Sequence, residues 1–385
     1  MSKLNLFAKA IVLASIITLL FNCKGKEPVV IPALSIPTVY TSTNFSTNAL
    51  TQTTVVNQLN ALTTEAKKGR VSGTLVAKTA LDNLFNAGIN SLATLATPYY
   101  KGKLEGTNGW FDKLAQASGN TYTPAIPTTG KGGVFGTGSS AYLFDENGLE
   151  MEQMIEKGLF GAVLFKHATD LFSGNINEAT TDQLIAIFGA TPSFSNSSSA
   201  NVAVEIRDRA MANYGARRDK NDGNGFYSQM KFQIIRLQAA IKAGADYNKD
   251  RDEAIASIKL IWEKINASTI INYCHAVIST LSATTITDNQ KAAALHAYGE
   301  CVGFTHGWRT IAQAHKRITD NQIDEVLTLL NAPYNGTPTA YKFVTDAVNE
   351  LPKLTQIINK LKDIYGFSTQ EIEDFKLNWI TVQNR

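Results

Sequence analysis

Cysteine is nearly absent from this chain, with three in 385 residues, at positions 23, 274 and 301. That excludes a disulfide-stapled scaffold. Charge of one sign is missing too: 36 basic residues stand against 33 acidic ones. There is no long basic run and no basic stripe interleaved with aromatics, so nucleic acid is not implied as a partner. No apolar run approaches the roughly 20 residues that a bilayer core demands. The motifs Gly-x-Ser-x-Gly and His-Glu-x-x-His are both lacking, which argues against an elbow-type serine hydrolase and a zincin. Alternating apolar and polar strand patterns are scarce as well.

What is present begins at the N-terminus. Lys3 and Lys9 precede an apolar run from Ala10 to Phe21, and Cys23 follows, with Leu20 three positions before it. Directly after comes the polar stretch Lys24-Gly25-Lys26-Glu27-Pro28. A basic start, a short apolar run and a cysteine at the cut form a bacterial lipoprotein signal peptide. The expectation is removal of residues 1–22 and lipidation (palmitate among the acyl chains) of Cys23. The chain is then lipid-anchored in the cell envelope, at the outer membrane, on its periplasmic face or at the surface. Residues 23–55, rich in Pro, Ser, Thr and Asn, read as a flexible tether. Residues 56–385 read as a single helical domain.

Helical periodicity covers about 56–68, 73–87, 150–172, 178–189, 200–214, 226–243, 250–282, 288–316, 320–331, 338–362 and 369–380. Pro352 should kink or break the helix that contains it. A Gly, Pro and Thr-rich region at 118–140 reads as a long loop. Its Thr129-Gly130-Lys131-Gly132-Gly133 lacks the spacing of a phosphate loop. The fold class is all-α, a bundle of long antiparallel helices.

Three groups of residues could carry chemistry. In AAALHAYGECVGFTHGWR, residues 292–309, Gly299, Gly303 and Gly307 form one smooth helical stripe that lets another helix approach closely. His296 and Glu300, four apart, touch side by side on that helix. The helix over 150–172 adds Glu152, Glu156, Gly158, Gly161, His167 and Asp170, with Glu156 and His167 returning to one face. If the two helices cross, Glu156 meets His296 and Glu300, either as a metal site in a carboxylate-rich bundle or as a buried polar cluster. The third group is Cys274 and Cys301. They lie at near-equal distances from the turn joining helices 250–282 and 288–316, so they are level across a hairpin and could form a disulfide. His275 and Glu300 are equally level and compete with that pairing. Asp246, Asn248, Asp250 and Asp252 alternate as in a calcium loop. Arg251 and Ser257 break that motif, leaving an acid-favoured helix start. His306 and His315 read as a surface and a helix-end residue.

The run Ser139-Ser-Ala-Tyr-Leu-Phe-Asp145-Glu-Asn-Gly148, continuing through Glu156-Lys-Gly158-Leu-Phe-Gly161-Ala162, and His296-Ala-x-x-Glu300-x-x-Gly303-Phe304 resemble envelope lipoproteins carrying the domain of unknown function 4856. The resemblance implies an all-helical fold over about 38–385, similar in general character to imelysin-like proteins linked to iron uptake. Imelysins carry Gly-x-His-x-x-Glu. Here Ala294 stands two before His296, and the glutamate comes one residue late. Three functions stand open: a non-enzymatic binding module in iron or haem acquisition, a metal-dependent hydrolase using Glu156, His296 and Glu300, and a structural or host-facing surface protein. The membrane, through the lipid, is the one partner implied; a metal ion is the one cofactor under consideration.

Overall fold

The computed structural model describes residues 31–385, so Cys23 and residues 1–22, expected to be a signal peptide, lie outside the described residues. The helices that matter here are α1 (Leu50–Lys67), α2 (Pro98–Glu105), α3 (Trp110–Ala117), α4 (Met151–Leu159), α5 (Lys166–Ser173), α6 (Phe226–Ala243), α7 (Asn248–Leu281), α8 (Asp288–Arg309) and α9 (Ala347–Tyr365). Strands β1 (Gly133–Phe135) and β2 (Tyr142–Phe144) pair antiparallel, with Val134 opposite Leu143. The all-α expectation holds, with this small ribbon as an addition. Among the described residues no helix is long and apolar enough to cross a membrane.

Helix α7 is the spine, packing against α6, α8 and α9. Its apolar positions bury Ile258, Trp262, Ile265 and Ile271 on a helix long enough to meet three neighbours. Thr287 starts α8 with a capping box, its side chain accepting from Gln290 N while Gln290 reaches back. The second heavily packed pair is α4 against α8. Between α4 and α5 the helix widens into a π-helical segment, Phe160–Phe165, whose residues are all buried. The Ala162 carbonyl there accepts the N–H of Thr97 at 3.1 Å. Phe165 stacks on Trp308 at 4.6 Å and meets Trp262 edge-on at 5.6 Å, so the widened turn sits in the core.

The Tyr-Leu-Phe-Asp-Glu-Asn-Gly stretch is β2 followed by a buried turn. Asp145 Oδ1 accepts the N–H groups of Asn147 and Leu149, each at 2.9 Å. Gly148 takes φ +78°, open to glycine at no steric cost. The Asn147 carbonyl accepts from Tyr341 N at 3.0 Å, tying the turn to the C-terminal half. This turn delivers the chain into α4.

Several expectations need correction. The tether does not extend to residue 55, because the compact unit begins at Ile36 and α1 at Leu50. Tyr40 is buried and donates to Asp182 at 2.7 Å, which anchors this segment. Helices α2 and α3 are shorter than the periodicity that reveals a helix and were not expected. The helix expected over 200–214 starts at Ala210, and α8 stops at Arg309. Pro352 does not break α9, which runs through it. The missing N–H strands the carbonyl of Val348, at a position open to water, since Val348 is 85% exposed.

The hairpin register of α7 and α8 is as expected, and Cys274 and Cys301 face each other inside it. They are free thiols, with sulfurs 3.8 Å apart. A disulfide needs about 2.05 Å. The Cys301 thiol turns instead toward the Ile270 carbonyl, 3.6 Å away. His275 does not meet Glu300; its charged neighbours are Lys376 and Glu373 of the C-terminal segment.

The glycine stripe of α8 divides in two. A Cβ on Gly303 would lie 2.4 Å from Gln153 O, and one on Gly307 would lie 2.2 Å from Gly158 O. A Cβ on Gly299 would meet Gln153 and Glu150 side-chain atoms at 3.4 Å, an ordinary contact. Gly303→Ala and Gly307→Ala should therefore each destabilise by about 1–3 kcal/mol through overpacking. Gly299→Ala should be neutral or stabilising, up to about 1 kcal/mol from helix propensity. Urea denaturation of the three variants measures this, and equal losses at all three positions would refute the assigned crossing.

Candidate functional site

The crossing of α4 and α8, with the end of α1 beside it, gathers eight charged or titratable side chains into a closed ring. Arg70, just beyond α1, holds Glu152 Oε2 through Nε at 2.6 Å and Glu150 Oε1 through Nη2 at 2.9 Å. Lys67 lies 3.8 Å from Glu152 and 3.7 Å from Glu156. Lys157 lies 2.8 Å from Glu156 and 3.6 Å from Glu300. His296 Nε2 is 3.6 Å from Glu300, and His296 Nδ1 is 2.6 Å from Glu150 Oε2. Each positive group thus stands between two carboxylates, and the circuit returns to Arg70.

The local sequence explains the placement. Glu152 and Glu156 are one turn apart on α4, as are His296 and Glu300 on α8, so each pair shares a helix face. Glu150, with extended backbone just before α4, is aimed by the Asp145 turn. Gly303 and Gly307 bring α8 near enough for Lys157 to reach Glu300. Tyr142 of β2 lies flat on His296, with centroids 4.2 Å apart at 11°, and the Arg70 guanidinium sits 4.8 Å above the same ring. Glu150 and Glu152 are buried, while His296 and Arg70 each keep about a fifth of their side chain exposed.

With every group ionised the ring is neutral, four carboxylates meeting three permanent cations and an imidazolium. Burial opposes charge on His296, but Glu150 and then Glu300 outweigh it and raise its pKa above the ordinary 6.5. Burial equally opposes charge on Glu150, and His296 and Arg70 outweigh it, lowering its pKa. Glu152 goes the other way: burial and the adjacent Glu150 push it up to about 8 against Arg70 and Lys67. Burial of Glu156 is outweighed by Lys157 and Lys67, which hold its carboxyl well below the usual range.

The sequence-predicted residues Glu156, His296 and Glu300 do share this network, but Lys157 lies between Glu156 and Glu300. Among the described residues no three His, Cys, Asp or Glu side chains form a group that could hold a metal ion. Glu150, Arg70, Lys67 and Tyr142 were not expected in the cluster, and Glu150 is the direct partner of His296. His167 is not part of it. The π-helical segment shifts the helical phase before α5, and His167 pairs with Gln52 at 3.0 Å. His306 is buried rather than at the surface, packed against Tyr99, Tyr100, Trp110 and Tyr334, and burial pushes its pKa down to about 3. The alternating acids at 246–252 open α7, with Asp250 taken by Arg236 at 2.7 Å and Asp252 by Arg251 at 2.8 Å.

The pH dependence follows from these directions. The contribution of His296 is fully present below about 6.5 and lost as pH rises through its raised folded value. That of Glu150 is present above about 4.5 and lost as pH falls through its lowered value. Between pH 6 and pH 9 the protein should therefore lose thermal stability, as His296 gives up its proton and as Glu152, raised to about 8 by burial and by Glu150, gives up its own. His296→Gln should have the lower Tm at pH 6, and the gap to the parent should narrow by pH 9. Melting curves across this range check it; a gap of constant size would mean that His296 carries no charge in the ring.

Residues 26–181 match the family model described as a domain of unknown function, DUF4856. The matched stretch contains the α1 end, the Asp145 turn and α4, which together supply Lys67, Arg70, Glu150, Glu152, Glu156 and Lys157; His296 and Glu300 lie beyond it. No curated protein and no solved structure matches the chain. Over residues 26–181, less than half of its length, the chain is similar to the DUF4856 family.

Proposed function

We propose that this chain is a bacterial envelope lipoprotein anchored by lipid on Cys23, and that its helical domain is a non-enzymatic binding module. One observation carries the second half. Lys157 stands 2.8 Å from Glu156 and 3.6 Å from Glu300, so the protein's own ammonium occupies the position a metal would need between them. Every carboxylate of the ring already has cationic partners on two sides. Removing one partner from such a network leaves an uncompensated buried charge, so the ring acts as a clamp between α1, α4 and α8 rather than as a set of free catalytic groups. The iron or haem cargo implied by the imelysin resemblance finds no open ligand set in the ring. This reading assigns cargo to a cleft elsewhere on the domain.

The order of basic start, apolar run and Cys23 supports the anchor. Expressed in a bacterium fed a clickable palmitate analogue, the parent should label and fractionate with membranes, and Cys23→Ala should do neither. Equal labelling of both would remove the anchor from this reading. For the module, the purified full chain should show no saturable uptake of Fe(II), Zn(II) or haem that depends on His296. Stoichiometric metal lost in His296→Ala, or hydrolytic activity lost with it, would replace the binding module by the metal-dependent hydrolase.

A further inference from the structure

A cleft of about 570 Å³ opens beside the turn that carries Glu150, between α2, α3 and the segment 336–338. Leu149 and Met151, the two neighbours of Glu150, form part of its wall. The volume lies within the range of small-molecule sites. We infer that this cleft binds an acidic saccharide, a sugar chain bearing carboxylate groups; the inference rests on the binding-module reading and names its ligand class.

Charge gives the sign. Lys103 and Lys113 line the cleft, and no acidic side chain lines it. Lys113 lies 3.6 Å from the buried Asp145. Lys103 has no carboxylate within 4 Å among the described residues; its ammonium sits 5.3 Å from the centre of the Tyr99 ring. An ammonium with no anionic partner at the mouth of a cleft is a point charge available to a ligand carboxylate.

The aromatic side chains give the shape. Tyr99 and Trp110 are half-buried, and both line the cleft. Tyr99 is stacked on Tyr334 at 4.5 Å, and its hydroxyl donates to the Tyr334 carbonyl and Asn335 Oδ1, each 3.0 Å away. Trp110 is held edge-on by Tyr100 at 5.0 Å and by the buried, neutral His306 at 5.1 Å. Both rings are fixed before a ligand arrives, so stacking costs little side-chain entropy. Thr107, Asn108 and Thr337 add exposed hydroxyl and amide groups. A purely aromatic anion would leave that polar rim unused. A ring with apolar C–H faces, many hydroxyls and a carboxylate uses the aromatic platform, the rim and the lysine together.

The test is calorimetric titration of the full chain in detergent micelles with trigalacturonic acid, maltotriose, benzoate and inorganic phosphate. Trigalacturonic acid should bind with 1:1 stoichiometry, and maltotriose, its uncharged counterpart, at least about tenfold more weakly, a difference of about 1.4 kcal/mol. Lys103→Arg should retain binding, and Lys103→Glu should abolish it with an unchanged melting curve. Trp110→Phe should weaken binding while keeping the preference for the acid. Equal affinity for maltotriose, or binding indifferent to Lys103→Glu, would overturn the inference. Saturable binding of benzoate or phosphate without trigalacturonic acid would overturn the saccharide assignment and leave the binding module standing. Hydrolytic activity lost in His296→Ala would instead overturn the module itself.

Discussion

Eight ionisable side chains, acidic and basic in alternation and closed into a ring, are the constraint on which the centre of this protein depends. Its members come from the end of α1, the whole length of α4 and the middle of α8, segments far apart in the chain. Such a network is not a large net source of stability, because burying each charge costs nearly what the pairing returns. Its effect is selective. A one-residue slip between α4 and α8 would bring Lys157 away from Glu300 and leave buried carboxylates without partners. The ring therefore favours one register of the crossing, as the glycine backbone contacts of Gly303 and Gly307 do sterically.

The same arrangement explains why the turn at Asp145 is built so rigidly. Glu150 must present its two oxygens to His296 and Arg70 at once, and it does so from extended backbone just outside a helix. The aspartate fixes the preceding turn through two backbone N–H groups. The flanking Leu149 and Met151 point to the cleft wall while Glu150 points to the ring. One short segment thus joins the charged clamp to the concave surface.

Much of the helical frame was legible from periodicity. The hairpin of α7 and α8, its level cysteines and the thinning glycines follow from spacing, while the meeting of α4 with α8 is a hypothesis that the glycines suggest. The site was legible only in part. His296 and Glu300 advertise each other because they are one turn apart, and Glu156 follows once the two helices cross. Arg70 and Tyr142 carry no such signal, since nothing local marks an arginine past a helix end or a strand tyrosine as the partner of a distant histidine. His167 was misassigned because a π-helical turn, silent in the pattern, shifts the phase of everything after it. The segment 36–55 read as a tether because its composition is polar, yet Tyr40 finds a buried hydrogen-bond partner in Asp182.

The sequence by itself determined the helical class, the near-neutral charge, the hairpin register and the order of basic start, apolar run and Cys23, because each depends on local spacing or composition. The tertiary structure alone decided what stands between the carboxylates. Whether Glu156 and Glu300 face an empty space or a lysine depends on how closely α4 and α8 approach, and that distance is set by backbone contact at Gly303 and Gly307. It also decided that the two cysteines face each other with sulfurs 3.8 Å apart, that His306 is buried and neutral, and that two lysines and two fixed aromatic rings share one cleft. Those outcomes depend on distances between residues remote in sequence, which periodicity does not encode.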